Sequence, residues 1–282
     1  MRLSRLKWYA ARLAAMSPAE VAHRLREAAL KRAWRGDRRG WDNFSVIGDG
    51  ALADLSLLRA RLGSAPPQDV AALDAGLYAG LGANVRADDP EVWFRDPVGG
   101  GVWPKDAYCF DIDVRGAGTD SAGGSCRADV KFVWEINRLQ MLHPLCVEVA
   151  AGRAGPRRLL DVVHAWAAAN PPYRGVNWFS GIELAMRLVT LTLVVAAVPP
   201  AALSDDDRIA LRRMIAAHGF WLARYPSKHS SANNHLVAEG LGLLLAGLLA
   251  PDLADAPGWA AEGRHILERE AAKQIFPDGR VK

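Results

Sequence analysis

The sequence predicts an all-α fold, an incomplete α/α toroid built as a double layer of antiparallel helices, behind an N-terminal helical and loop-rich segment. Three observations predict it. From Asp129 onward one helical run follows another with short links, and short links make neighbouring helices antiparallel. Several of these runs are apolar on more than one face. Such helices need cover on both sides, which an inner ring inside an outer ring provides and a four-helix bundle does not. No fixed-length repeat is evident, which weighs against the common solenoids.

The first element is a helix opening at "SPAE": Ser17 caps, Pro18 suits the first turn, and Glu20 completes a capping box. It runs to about Trp34 and stops at "RGDRRGWDN". Two short helices are expected near 51–62 and 67–80. From Gly82 to Asp129 the helical period disappears. Gly, Pro and Asp dominate, aromatic residues are scattered through, and only "CFDIDV" (109–114) alternates like a strand. Six helices follow: "DVKFVWEINRLQMLHPLCVEVAAG", "GPRRLLDVVHAWAAAN", "SGIELAMRLVTLTLVVAAV", "SDDDRIALRRMIAAHGFWLARY", "SANNHLVAEGLGLLLAGLLA" and "APGWAAEGRHILEREAAKQI". Ser204 caps the fourth, with acids in its first turn where the helix dipole favours them. The organisation is therefore a helical segment over 1–81, a loop-rich segment over 82–129 packing on the main body, and the toroid over 130–282.

With half its residues apolar and 23% charged, the chain has the composition of a soluble globular protein. Its longest apolar stretches, 188–203 and 241–250, are stopped by Pro199-Pro200 or too short to span a bilayer, so no transmembrane segment is expected. No nucleic-acid partner is expected either. The net charge of +4 is uneven, because residues 1–40 alone carry +8. That excess fits an acidic partner, an anionic membrane surface or a solvated helix face. The start shows no secretory pattern, since Arg12 interrupts its apolar run, and this reads as cytoplasmic. Cys109, Cys126 and Cys146 form no CxxC pair and read as buried thiols rather than a disulfide framework or a zinc site.

Four groups of residues can carry chemistry. The first is Lys131, Glu135, Asn137 and Arg138, with Trp134 one turn earlier and Lys131–Glu135 and Glu135–Arg138 spaced to pair. The second is Asn177 and Trp178 before a helix bearing Glu183 and Arg187, a spacing that reads most simply as a structural ion pair. The third is "YPSKHSSANNHLVAE", with His229, Asn233, Asn234 and His235. Ser230 or Ser231 reads as a helix cap. His235 and Glu239 have metal-ligand spacing, but no HExxH and no third ligand accompanies them, so no metal site and no cofactor is expected. The fourth is "FPDGR". His143 and His164 sit among apolar neighbours and read as core.

The Asn-Asn-His run stands out. Asn is a poor helix former, and here two precede a His just inside a helix that becomes wholly apolar. Sequences break local rules at functional sites. A neutral amide can bind a carboxylate without becoming charged, and His trades protons near neutral pH. The set suits an anionic, sugar-like ligand.

In the order "DVKFVWEINRLQML", "NWFSGIELAMRL", "SSANNHLVAEGLGL", "PDGR", the sequence resembles the heparinase II/III-like polysaccharide lyases, including related alginate lyases. "LSRLKWYAARLAAMSPAEVAHRL" and "WFRDPVGGGVWP" resemble family segments before the toroid. The likeness covers nearly the whole chain. It implies an incomplete α/α toroid followed by a β-sandwich, an acidic polysaccharide as partner, and β-elimination at a uronic acid without a metal. It implies Asn234 as the group that neutralises the uronate carboxylate, with His235 and Asn233 as adjacent alternatives. Arg138, Asn177, Trp178 and Arg187 would shape or line the cleft, and Glu183 would hold Arg187. His229 joins the substrate-binding set.

The family's "PDG" is followed by a Gln-Ser-x-x-Tyr-His-like run carrying the catalytic Tyr. These residues reach Lys282 without one, and none of Tyr9, Tyr78, Tyr108, Tyr173 and Tyr225 has that context. The expectation is an N-terminal toroid portion lacking the β-sandwich, inactive alone. Members of the family usually act in the periplasm or cell envelope, in tension with the missing export signal. Two other functions are weighed. One is a non-catalytic toroid that binds acidic glycan or assists polysaccharide assembly. The other is a glycoside hydrolase, which needs two carboxylates across a cleft, with Glu135, Glu183 and Glu239 as candidates.

Overall fold

The computed structural model describes residues 16–36, 40–44, 46, 50–115, 118–119, 125–126, 128–229 and 232–280. The expectations at Ser230, Ser231, Tyr9 and the side chain of Cys126 lie outside them. Helix dominates. It begins with α1 (Pro18–Arg35), where Ser17 Oγ accepts from Glu20 N and the Glu20 carboxylate holds Arg24. Helices α2 (Ser56–Gly63) and α3 (Ala71–Asp74) follow.

The helix expected over 67–80 is replaced by α3 and a hairpin, β1 (Leu77–Gly80) with β2 (Ala83–Arg86). Gly76 takes φ 70°, which ends the helix. Leu81 and Gly82, both at positive φ, form the two-residue turn that hairpin twist favours. The alternation at 109–114 does not give a strand. Cys109–Asp111 is a 3-10 turn, and Tyr108 bridges to Arg174 instead. A further short pair, β3 (Gly118–Thr119) and β4 (Ser125–Cys126), precedes the main helices.

The long run after Asp129 is two helices, α4 (Val130–Asn137) and α5 (His143–Ala150). Leu139 takes a left-handed conformation between them, and Pro144 occupies the first turn of α5, where its missing N–H does no harm. Then come α6 (Arg157–Ala169), α7 (Gly181–Ala197), α8 (Asp205–Arg224), α9 (Asn234–Leu249) and α10 (Ala256–Gln274). Ser204 and Asp207 form a full capping box on α8.

These helices stand in two rows. In the first row, Arg138 meets Glu183 and His143 meets Thr190, so α4 and α5 run parallel to α7. Gly181 lies against Glu239 and Gly242 against Ala185, so α9 runs parallel too. In the second row α6, α8 and α10 run the opposite way. Trp166 meets His218, Gly219 meets Trp259, and α10 packs antiparallel on α9 through Gly240 with Gly263 and Gly247 with Ala256. Helix α7, in contact with members of both rows, has Leu184, Leu188, Leu191 and Val194 fully buried, which accounts for its all-round apolar character.

The α9–α10 contact depends on missing side chains. A Cβ on Gly263 would fall 2.4 Å from Leu244 N and 2.7 Å from Gly240 O, and backbone cannot step aside. Gly258, on the same helix, has nothing within 4 Å of that position. Gly263→Ala is expected to destabilise by about 1–3 kcal/mol despite alanine's better helix propensity. Gly258→Ala is expected to stabilise by up to about 1 kcal/mol. Thermal melts of the two variants check the opposite signs.

Candidate functional site

Helices α7 and α9 start side by side at one end of the first row. Gly181 permits this, because a Cβ there would lie 2.4 Å from the Glu239 carboxylate of α9. Asn233 is the N-cap of α9, with φ −131° and ψ −124°, and its side chain makes no capping bond. Asn normally occupies this position in order to cap. Asn233 and Asn234 are exposed, His235 is half-buried, and none of the three side chains bonds to another described residue. Two amides and an imidazole therefore stand free where unpaired helix N–H groups and the positive end of the dipole favour an anion.

Helix α4 packs against the start of α7 and the turn before it. Trp134, half-buried, donates to Val176 O and stacks on Phe179 at 6.2 Å, and Phe179 in turn lies 6.4 Å from Phe110. Trp134 also lines an open groove of about 720 Å3 with Asp96, Arg115 and Lys131 on its walls. Arg138 is forked between two carboxylates, Glu135 at 2.7 Å and Glu183 at 2.7 Å. The expected Glu183–Arg187 and Lys131–Glu135 pairs are corrected here. Arg138 reaches both acids first, and Lys131 points outward beside Asp129. Because Glu135 and Glu183 share Arg138, and Glu239 is engaged by Ser227, these three do not form a free pair across a cleft.

Three of the residues expected to shape or line the cleft are buried. Asn177, Trp178 and Arg187 are 0–1% exposed. Arg187 donates from Nε to His218 Nε2, from Nη1 to Asn137 O and from Nη2 to Asn177 O, and its guanidinium lies 4.4 Å from the Trp166 ring. Since Arg187 can only donate, His218 Nε2 must accept and the proton sits on Nδ1, which donates to Met214 O. Burial, followed by the Arg187 charge, drives the His218 pKa far down, so the imidazole is neutral. Asn177 donates to Trp93 O and Asn170 Oδ1, and Trp178 donates to Asn170 O. This network ties the end of α4 and the 176–178 turn to α7 and α8. It forms the floor that holds Trp134 and Phe179 in place, and its members reach no solvent.

Glu239 supports the loop between α8 and α9. Its carboxylate accepts from Ser227 N at 2.7 Å and Ser227 Oγ at 2.7 Å. Burial pushes its pKa up to about 7, against the lowering effect of the Ser227 bonds. It bonds to Ser227 rather than to His235. Among the described residues no group of three or more His, Cys, Asp or Glu is placed to hold a metal. The described tyrosines, Tyr78, Tyr108, Tyr173 and Tyr225, are all buried. Beyond Ser227 the loop turns His229 outward, 5.2 Å from the ring of His23 on α1. His23 was not legible as a site residue, because nothing local distinguishes it from other polar positions of an amphipathic helix.

Residues 126–282 match the family model described as Heparinase II/III N-terminus, which is more than half of the chain. The chain belongs to the heparinase II/III family. Nearly every candidate residue, from Arg138 to His235, falls in the part of this heparinase II/III-family chain that matches, whereas α1 and the hairpin precede it. No curated protein and no solved structure is significantly similar to the chain. No helix among the described residues is long and apolar enough to cross a membrane.

Proposed function

We propose that this chain binds an acidic polysaccharide at the end of the first helix row and supplies the carboxylate-neutralising part of a β-elimination site. The observation that carries the reading is the start of α9. Its N-cap asparagine does not cap, and the side chains of Asn233, Asn234 and His235 bond to no other described residue. In this reading the Asn234 amide donates to the uronate carboxylate. That neutralisation lets the C5 proton leave, since the charge spreading into the carboxylate is stabilised. The electron pair forms the C4–C5 double bond, the C4–O4 bond breaks, and O4 takes a proton. In this reading His235, next to Asn234, takes the C5 proton as base and its imidazolium then gives a proton to O4. Trp134 and Phe179 offer an aromatic surface for a sugar ring, and Arg138 braces that surface. The two-row arrangement is consistent with part of an α/α toroid whose cleft opens at this end.

A second reading, binding without elimination, is favoured by the burial of every described tyrosine. Both readings are tested with the purified 282-residue protein and a polyuronate. The expected result is saturable binding of polyuronate or sulfated glycosaminoglycan, no binding of an uncharged glucan, and no release of ultraviolet-absorbing unsaturated uronate. Equal binding of charged and uncharged polymers would contradict the proposal. Release of unsaturated product would favour the full lyase reading over the binding one.

A further inference from the structure

We propose that the junction of α1 with the α8–α9 loop is a second anion subsite, taking the sulfate or carboxylate of another sugar on the same acidic glycan. The glycan part rests on the function proposed above; the anion site stands on its own geometry. Two cavities, each of about 50 Å3, flank His23 on α1. By this measure a water needs about 10–15 Å3, so each has room for a small anionic group. One is lined by Arg26, Arg224 and Lys228, by the carboxylates of Glu27 and Glu262, and by apolar Leu222, Leu243 and Ile266. The other lies among Arg24, Glu27, Tyr225, Ser227 and His229.

The charges here do not cancel. Lys228 pairs with Glu262 at 3.3 Å, Arg24 with Glu20 at 2.8 Å and Lys31 with Glu27 at 2.5 Å. Arg26 and Arg224 have no ion-pair partner among the described residues. Arg224 donates to Phe220 O and lies on the Phe220 ring, with Asp255 acting on it only at longer range. His23 and His229 face each other at 5.2 Å, and Glu27, 3.8 Å from His23, is already shared with Lys31. Two guanidiniums without an ion-pair partner among the described residues form a positive field around these small cavities, beside two imidazoles that can take up protons, and an anion completes it. Burial lowers the His23 pKa first; Glu27 opposes this, and His229, Lys228 and Arg26 add to the lowering. A bound anion would relieve that crowding and favour protonation of both rings.

The subsite lies close to the first one. His229 and Asn233 are four residue steps apart, and at about 3.5 Å per step they lie at most roughly 14 Å from each other. One polysaccharide chain can therefore reach both.

The test follows the ring protons of His23 and His229 by NMR across pH in the full chain, with sodium sulfate against sodium chloride at matched ionic strength. Sulfate is expected to raise both titration midpoints, saturably, by about half a pH unit or more, and to do so equally in Asn234→Ala. Midpoints that move no more in sulfate than in chloride would overturn the subsite. His23→Gln and Arg26→Ala, both on the surface of α1, are expected to abolish the sulfate response and to weaken binding of a sulfated glycan several-fold. If sulfate is bound but those variants bind the glycan as the parent does, the glycan assignment is overturned and a site for a free anion remains. If sulfate is bound and no acidic glycan binds even the parent chain, it is the function proposed above that fails.

Discussion

Arg187→Ala is expected to be among the most damaging single substitutions in the chain, lowering stability by about 3–5 kcal/mol through the void it leaves and the acceptors it strands. The side chain is fully buried, and its charge is met by no carboxylate at hydrogen-bond distance. Three neutral acceptors surround it instead: His218 Nε2 and the carbonyls of Asn137 and Asn177. Burial lowers its pKa, while nearby Glu183 supports the charge. Truncation leaves a large void and strands three acceptors, each at about 1–3 kcal/mol before relaxation or hydration of the void. Arg187→Lys should recover only part of the loss, since one ammonium cannot fork across acceptors on α4, the 176–178 turn and α8. Urea unfolding of the three proteins is the measurement. A loss below about 1 kcal/mol for the alanine variant would contradict this account of the floor.

Glu239→Gln is expected to act in the opposite direction and to depend on pH. The folded pKa, about 7, lies above that of an unfolded carboxyl. The folded state therefore binds the proton more tightly, and stability falls as pH rises between roughly 4.5 and 7. Above that window the penalty is complete, at about 3 kcal/mol, because every tenfold difference in proton affinity between the folded and unfolded states is worth about 1.4 kcal/mol. Glutamine keeps the shape and can still accept from Ser227 N while donating to Ser227 Oγ. The variant should match the parent near pH 4 and exceed it by up to about 3 kcal/mol at pH 8. A difference that does not change with pH would rule this out. A charge held at such a penalty beside the loop that carries Lys228 and His229 fits the trade of stability for function seen at working sites.

Much of the helical frame was readable because local chemistry wrote it. Ser17 and Ser204 cap where the sequence places caps, and the all-round apolar run at 181–197 is the helix shared between rows. The break at Leu139 was not readable. Its left-handed conformation is maintained by what α4 and α5 meet in other elements, among them Glu183 and Thr190. The 77–86 hairpin was hidden by Val70, Leu73 and Leu77, whose spacing imitates a helix face, although Gly76 and Gly82 carried the signal for a turn.

At the site, the Asn-Asn-His run was legible as a departure from helix propensity, and the exposed, unbonded amides at 233 and 234 are consistent with that reading. The partners were not legible. Arg138 and Glu183 are 45 residues apart, and a pairing rule confined to one helix assigns Glu183 to Arg187 instead. A family resemblance does not distinguish a cleft residue from a buried strut, and Asn177, Trp178 and Arg187, which it implied would shape or line the cleft, belong to the buried network.

The most direct test of the central claim is the affinity of the chain for a defined oligouronate, parent against Asn234→Ala, at one fixed salt concentration. Asn234 is exposed and touches no described partner, so the substitution leaves the fold intact. Loss of a hydrogen bond to a charged carboxylate is worth about 1.5–3 kcal/mol, which corresponds to roughly ten- to hundredfold weaker binding. That fall, with an unchanged melting temperature, is the predicted result. Equal affinity in the two proteins would contradict the claim that the start of α9 receives the uronate.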